Sequence, residues 1–271
     1  MIFAEKYPKT EQGWIKYPDD RSLRDTLFHP DATSHPAKAN IYMIADIVDY
    51  VSKPGETILD IMSGTGTIMI AALRHRKVIC IELEPFYYPW LDEAKKRITG
   101  TMTLPESNIL ILHGDCRKFL PLPVNHIVFS PPYASIMVRK SAPKAGSDIQ
   151  LAGGKKLASA LPEYSHSQGN VGLLGRFLYN HEMEKIYKLC YQSLPVGGTL
   201  TVILEDYTDA GKRVYLSDWM LKACVRAGFY VKNRFKRYCP GSGYKKLWKS
   251  KGLDVVEDED IMVFNKKGED E

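Results

Sequence analysis

The sequence predicts an α/β fold with an open, mostly parallel sheet and helices on both faces. One observation is an apolar strand, residues 57–61, that runs into a glycine-rich turn and then into an apolar helix, residues 68–74. Another is that four successive strand-like runs each end in polar or proline-rich residues. Parallel strands bring such ends together at one ligand-binding edge. The chain has 271 residues, enough for one large α/β domain.

The composition is that of an ordinary globular protein and excludes several classes. Hydrophobic residues make up 44% and charged residues 25%, with a net charge of +5. This mild excess indicates a polyanionic partner only where the cations are concentrated. The five cysteines are scattered without a Cys-x-x-Cys pair, which indicates reduced thiols and predicts no metal site. No secretory leader or membrane-length apolar run is evident, so we expect a soluble, cytoplasmic protein without membrane contact.

The first 51 residues are expected to contain an irregular arm and then a first helix. Residues 1–33 have prolines among mixed charges and no sustained period, so we interpret them as an arm on a domain of residues 34–271. A helical pattern spans residues 34–51, with Ser34 as its N-cap and Pro36 in its first turn. For His35 and Lys38 at its start, a solvated helix start is the usual interpretation.

The glycine-rich turn after the first strand is a candidate for close contact with a ligand. Strand, turn and helix in this order let backbone amides approach a bound group. The turn, residues 62–67, is not a phosphate-binding P-loop, because no Gly-Lys-Ser/Thr follows. The second strand, residues 77–81, ends in Glu82 and Glu84. An acid at this place accepts hydrogen bonds from ribose hydroxyls; the alternative is a polar strand exit.

Two further strand ends offer hydrogen-bond acceptors. Asp115 follows the third strand, residues 108–113, and is suited either to the amino group of an adenine ring or to capping a turn. The fourth strand ends in Ser130-Pro131-Pro132-Tyr133. Carbonyls at the prolines and the Ser130 hydroxyl would accept both protons of an exocyclic amine, with the Tyr133 ring stacked on the base. Alternatively, the prolines only end the strand and Tyr133 packs in the core.

Together these segments resemble a known enzyme family. The strings His-Pro-Ala-Lys, Leu-Asp-x-x-x-Gly-x-Gly-Thr, Ile-Glu-x-x-Pro, Gly-Asp-x-Arg and Ser-Pro-Pro-Tyr occur in that order. They are similar to those of the DNA amino-methyltransferases, which transfer a methyl group from S-adenosylmethionine to cytosine N4 or adenine N6. The resemblance covers roughly residues 34–206. One departure is Ile61-Met62, where the family often has Pro-Phe.

The resemblance implies the class I methyltransferase fold, a Rossmann-like sheet of seven strands with one antiparallel strand. It also implies which residues do the chemistry. The catalytic residues would be Ser130, Pro131, Pro132 and Tyr133. The cofactor-binding residues would be His35, Lys38, Asp60, Ser63, Gly64, Thr65, Gly66, Thr67, Glu82, Asp115 and Cys116. Neither a metal nor a covalent intermediate is required, because the sulfonium is already a strong electrophile.

The expected substrate is a base flipped out of double-stranded DNA, with cytosine favoured because Ser130 is often seen in cytosine-N4 enzymes. Three alternatives stay open. They are adenine N6 in DNA, an amine in RNA or in a protein glutamine, and a catalytically inert nucleic-acid-binding module. A restriction endonuclease partner would fit a site-specific enzyme. The sequence gives no oligomeric state.

Two basic segments are candidates for nucleic-acid contact, since cations bind phosphates and aromatic rings stack on unpaired bases. One is an insertion, residues 134–178, and the other is a basic C-terminal hairpin, residues 232–253. The residues singled out are Arg139, Lys140, Lys155, Lys156, Arg237, Lys245, Lys246 and Lys249. Solvated surface segments are the alternative for both. The remaining periodic runs predict helices at residues 179–194 and 219–227, and strands at residues 199–204, 229–235 and 261–264.

Overall fold

The computed structural model describes residues 2–30, 32, 38–102, 104–132, 167, 169–209, 212–239, 249–250 and 252–268. Nine strands are present in these residues: β1 Thr57–Asp60, β2 Lys77–Glu82, β3 Ile109–His113, β4 His126–Phe129, β5 Thr199–Glu205, β6 Tyr207–Asp209, β7 Lys212–Val214, β8 Tyr230–Tyr238 and β9 Asp258–Asn265. The α-helices there are α1 Arg21–Leu27, α2 Ile41–Val51, α3 Tyr88–Thr101, α4 Cys116–Phe119, α5 Arg176–Ser193 and α6 Leu216–Arg226. Short 3-10 helices span Thr67–Arg74, Glu106–Asn108 and Val171–Leu173.

Seven strands form one sheet in the order β3-β2-β1-β4-β5-β9-β8. The first five are parallel, and β9 runs antiparallel to both of its neighbours. The predicted seven-stranded, mostly parallel sheet with one antiparallel strand is therefore confirmed. The strand order reverses between β1 and β4, which is where an open parallel sheet leaves a crevice for a ligand.

Helices cover both faces of this sheet because its inner strands are apolar on both sides. On one face Ile58 of β1 packs in a core with α2, α3 and the Thr67–Arg74 helix. On the other face the next residue, Leu59, packs in a core with α5 and α6. Alternate side chains of a strand point to opposite faces, so a run of consecutive apolar residues is what a strand buried on both sides requires.

The N-terminal segment is more regular than the sequence indicates. It contains α1, and Ile15 forms a parallel bridge with Arg237 at the β8 edge of the sheet. The Phe3 ring stacks on Phe235 with 4.2 Å between centroids. The segment thus covers part of an edge strand that would otherwise have unpaired backbone groups.

The first predicted helix starts later than expected. Residues 38–40 are not helical, and α2 begins at Ile41. The Asn40 side chain caps it by accepting a hydrogen bond from the Met43 backbone N–H at 3.1 Å. Ser34, the predicted cap, lies outside the described residues. Asparagine is as good a cap as serine, and the pattern does not choose between them.

The other predicted elements agree with the structure to within a few residues. The sequence does not predict α4, the 3-10 helices Glu106–Asn108 and Val171–Leu173, or the small β6–β7 hairpin. Within the described parts of the chain, no helix combines the length and apolar character that crossing a membrane requires.

Candidate active site

A cleft opens at the carboxyl ends of β1, β2, β3 and β4. It encloses ≈ 1110 Å³, including open solvent at its mouth. It is lined by many of the residues that the sequence singles out: Lys38, Asp60, Ser63, Gly64, Thr65, Thr67, Glu82, Asp115, Cys116, Ser130, Pro131 and Pro132. The four strand ends therefore come together as a parallel sheet requires.

The glycine-rich turn owes its shape to two residues with left-handed backbone. Gly64 has φ 51° and Gly66 has φ 78°, which other residues adopt only with strain. A Cβ atom on Gly66 would lie 2.6 Å from the Cδ2 atom of Leu91, which is fully buried. The Ser63 hydroxyl donates to the Asp60 carbonyl at 3.0 Å and closes the turn onto β1. Backbone thus forms this wall of the cleft.

Two carboxyl groups face the cleft beside this turn. Glu82 accepts a hydrogen bond from the Gly64 N–H at 2.6 Å and another from the Glu84 N–H at 2.8 Å. Burial nevertheless raises the pKa of Glu82 to about 7. Burial also raises the pKa of Asp60 to about 7, and the charge of Glu82 adds to this shift. Among the described residues, neither carboxyl group has an ion-pair partner, so the pair is suited to a cationic or hydroxyl-rich ligand.

Asp115 is held chiefly by Arg117. It caps α4 by accepting from the Arg117 backbone N–H at 3.0 Å, and the Arg117 guanidinium donates to both carboxylate oxygens. Although burial raises the pKa of Asp115, these hydrogen bonds and the charge of Arg117 together leave it below its usual range. Arg117 also donates to the Gly169 carbonyl at 2.9 Å and pairs with Glu182. The capping role offered by the sequence is present, and the role toward adenine stays a prediction.

The turn that the sequence predicts to be catalytic follows β4 directly. Ser130, Pro131 and Pro132 line the cleft. Tyr133 and His35 lie outside the described residues. Lys38 is partly buried, and burial, aided by the charge of Arg24, lowers its pKa. Cys116 is buried, and burial raises the pKa of its thiol to about 12, so the thiol is not activated as a nucleophile.

Part of the wall that closes the cleft consists of residues that the sequence does not single out. Gly169, Asn170 and Val171 line it, and Asn170 and Ser167 both donate hydrogen bonds to the Glu84 carboxylate. No local signal marks these residues, because the contacts join positions 83 and 86 apart in the chain.

Two predicted nucleic-acid contacts are occupied by acidic partners. Arg237 is 17% exposed and its Nε donates to Glu259 at 2.5 Å. Lys249 is exposed and pairs with Glu257 at 2.8 Å. The other six, Arg139, Lys140, Lys155, Lys156, Lys245 and Lys246, lie outside the described residues.

A family model described as DNA methylase, covering N6 and N4 enzymes, matches residues 4–95. This match supports the resemblance to the S-adenosylmethionine-dependent amino-methyltransferases of the N4 and N6 family. It spans about a third of the 271 residues and includes the glycine-rich turn and Glu82. It also begins within the N-terminal arm, so the similarity reaches further toward the N-terminus than the motifs indicate. No curated protein sequence matches the chain.

Several solved structures are similar to the chain at low sequence identity. A precorrin 8w decarboxylase from Methanobacterium thermoautotrophicum has TM-score 0.50 and 14% identity, over 92% of this chain and 98% of that one. TrmN from Thermus thermophilus has TM-score 0.49 and 15% identity, over 88% and 52%. A TehB-like methyltransferase from Corynebacterium glutamicum has TM-score 0.44 and 17% identity, over 83% and 87%. The first of these likenesses supports the fold of this chain and does not define its substrate.

Proposed function

We propose that this methyltransferase modifies the exocyclic amine of a base in double-stranded DNA, with cytosine N4 as the acceptor atom. The observation that carries the proposal is that one cleft contains both the cofactor turn at Gly64 and the catalytic turn at Ser130–Pro132. A methyl donor and an amine would meet there without a covalent intermediate on the protein.

The residues at the cofactor end fit S-adenosylmethionine. Gly64 lines the cleft and lets the backbone approach the ligand, whereas Gly66 shapes the turn by its packing against Leu91. The Glu82 carboxylate would accept hydrogen bonds from the ribose hydroxyls. Glu82 is buried and Asp60 is half-buried, and neither has a cationic partner among the described residues, so a positively charged ligand would compensate their charge. When bound, the cofactor supplies an electrophilic methyl group.

The catalytic turn would orient the acceptor amine. The amine would donate hydrogen bonds from its two N–H groups to the Ser130 hydroxyl and to the carbonyls at Pro131 and Pro132. These hydrogen bonds take the nitrogen lone pair out of conjugation with the ring. Tyr133 would stack on the flipped base and help to offset the unstacking energy, on the order of a few kcal/mol. Catalysis would then come mostly from alignment and from polarising the amine.

A test is to incubate the protein with labelled S-adenosylmethionine and unmethylated DNA, digest to nucleosides and identify the product by mass. We expect N4-methylcytosine. N6-methyladenine would keep the mechanism and contradict the preference assigned to Ser130. Label on RNA or protein alone would contradict the DNA assignment. A site-specific product would justify a search for a restriction endonuclease partner.

A further inference from the structure

The Asn170 side chain joins the cofactor side of the cleft to its catalytic side. It is 8% exposed. Its Nδ2 donates to Oε1 of Glu84 at 3.1 Å, and its Oδ1 accepts from the Gly172 backbone N–H at 2.8 Å. A carboxylate at one end and an N–H at the other give the amide a single favourable orientation.

On the cofactor side, Glu84 is hydrogen-bonded to Glu82, the residue proposed to bind the ribose. Its backbone N–H donates to Oε1 of Glu82 at 2.8 Å. Its own carboxylate accepts from Asn170 and, through Oε2, from the Ser167 hydroxyl at 2.8 Å. The end of β2 therefore holds residues 167 and 170 through one acidic side chain.

On the catalytic side, Gly172 lies against the proline turn. A Cβ atom added at Gly172 would lie 3.2 Å from the Pro132 Cβ and 3.0 Å from the Asn170 Oδ1. This contact is so close that a displacement of the Val171–Leu173 helix would press on Pro132. The Asn170 cap determines where that helix begins, because the side chain accepts from the Gly172 N–H in its first turn.

We propose that Asn170 is a positioning residue that sets the distance between the catalytic turn and the cofactor through Glu84 and Gly172. The proposal rests on the proposed function, because it assigns the catalytic role to Ser130–Pro132. Methyl transfer requires the reacting atoms to be about 3–3.5 Å apart, and a misplacement of about 1 Å costs roughly 100-fold in rate. Asn170 bonds Glu84 at one end and Gly172 at the other, and Gly172 packs against Pro132, so this side chain is well placed to maintain such a spacing.

The direction of the hydrogen bond from Asn170 to Glu84 can be reversed by mutation without changing the total charge. In the double variant Glu84→Gln with Asn170→Asp, the new amide at position 84 would donate to the new carboxylate at position 170. The amide oxygen at position 84 would still accept from Ser167, and the carboxylate at position 170 would still accept from the Gly172 N–H. Asn170→Asp alone opposes two carboxylates instead. Glu84→Gln alone leaves an amide oxygen that still accepts from Asn170.

The first measurement is the single-turnover rate of methyl transfer, with cofactor affinity measured in parallel by calorimetry. We expect Asn170→Asp to lose roughly 100-fold in rate while cofactor affinity changes much less. We expect Glu84→Gln to retain most of the rate and the double variant to regain most of what Asn170→Asp loses. The matched control is Glu184→Gln on α5, which alters an exposed pair with Arg226 and should match the wild type.

The second measurement is hydrogen exchange in a peptide covering residues 167–175, which needs no substrate. Exchange should rise in Asn170→Asp and fall again in the double variant. A double variant that remains as slow and as unprotected as Asn170→Asp overturns the positioning role. If the wild type transfers no methyl group to any nucleic acid, the proposed function fails, and the exchange data still decide whether Glu84 and Asn170 are coupled.

Discussion

Asp60 and Glu82 are two carboxyl groups of the cleft whose pKa values are raised far above the ordinary range. Burial disfavours the ionised form of a carboxyl group, which is why both have a pKa near 7. The hydrogen bonds from Met62, Gly64 and Glu84 lower the two pKa values only partly. Near pH 7 both carboxyl groups of the free protein are therefore only partly ionised. A bound cation or a set of hydroxyl donors would favour the ionised form.

Affinity for S-adenosylmethionine should consequently rise between pH 6 and pH 8 and level off above that range. The pKa values of Asp60 and Glu82 are both raised to about 7, so ionisation across this range creates the form that attracts the cationic cofactor. The increase is limited to about tenfold per pH unit for each carboxyl group that must ionise. Titration calorimetry at pH 6, 7 and 8 measures it. Asp60→Asn should flatten the profile, whereas an affinity that falls with pH would contradict this account.

The same shifts have a defined sign for the stability of the free protein. A raised pKa means that the folded state binds more protons than the unfolded chain between the ordinary carboxyl pKa and about 7. The stabilisation from these two groups is therefore complete below the unfolded pKa and is lost as the pH rises through 7. Bound cofactor opposes that loss, because it compensates the ionised form.

At the scale of elements, the paired strands β8 and β9 give a different meaning to the most basic stretch of the sequence. Lys236 lies opposite Asp260, and Arg237 opposite Glu259, so a basic strand lies beside an acidic one. Arg234, which lies opposite Met262, reaches diagonally to Asp260 and donates to it at 2.7 Å. The sequence predicts a basic hairpin, but spacing alone does not indicate that its cations face the acids of a strand more than twenty residues later.

Asp258 should be the acidic residue on which this strand pair depends most. Its side chain is fully buried and accepts from Arg213 at 2.8 and 2.9 Å and from Lys236. Asp258→Asn would weaken the hydrogen bonds to Arg213 and Lys236, at a cost of about 1.5–3 kcal/mol in the free energy of unfolding. The cost stays in this range because Asp206 and Asp260 remain as acidic partners of the two cations. Urea denaturation at pH 7 measures it. The neighbouring change Glu257→Gln affects only a solvent-exposed pair with Lys249 and should have a much smaller effect.

The candidate site shows where prediction from sequence succeeds and where it ends. Gly64, Glu82 and Ser130 were predictable, because each follows a short apolar run and parallel strands align their ends. The link from Asn170 to Glu84 and the link from Arg117 to Glu182 were not. They join residues 86 and 65 positions apart, and only the folded path of the chain brings them together.

At the scale of the whole molecule, the seven-stranded sheet was predictable because its strands are apolar on both faces and are bounded by glycine and proline. Most helix ends differ from the expectation by a few residues, since caps such as Asn40 are interchangeable with other polar residues. Helix α1 was missed because its main anchor is tertiary. Arg24 is 1% exposed and bonds Asp20, Thr67 and the Ala39 carbonyl, which no local pattern reveals.

The distribution of charge over the molecule leads to a last prediction, which concerns nucleic-acid binding. The net charge of +5 is modest. In the part of the C-terminal region that the structure describes, several basic side chains already pair with acids: Arg234, Lys236, Arg237 and Lys249. Phosphate contacts must then come mainly from other cations. Lys245 and Lys246, assigned to such contacts from the sequence, lie outside the described residues and are the two to test.

Replacing Lys245 and Lys246 with alanine should reduce the slope of log affinity against log salt concentration by about 2, since each lost phosphate contact removes about one unit. Lys249→Ala is the matched control, and its effect on the slope should be smaller because Glu257 already neutralises that ammonium group. Fluorescence polarisation of a labelled duplex across a series of NaCl concentrations measures the slopes. Equal slopes for the wild type and the double variant would show that Lys245 and Lys246 do not contact phosphates. The contacts would then have to come from basic residues of the insertion, residues 134–178.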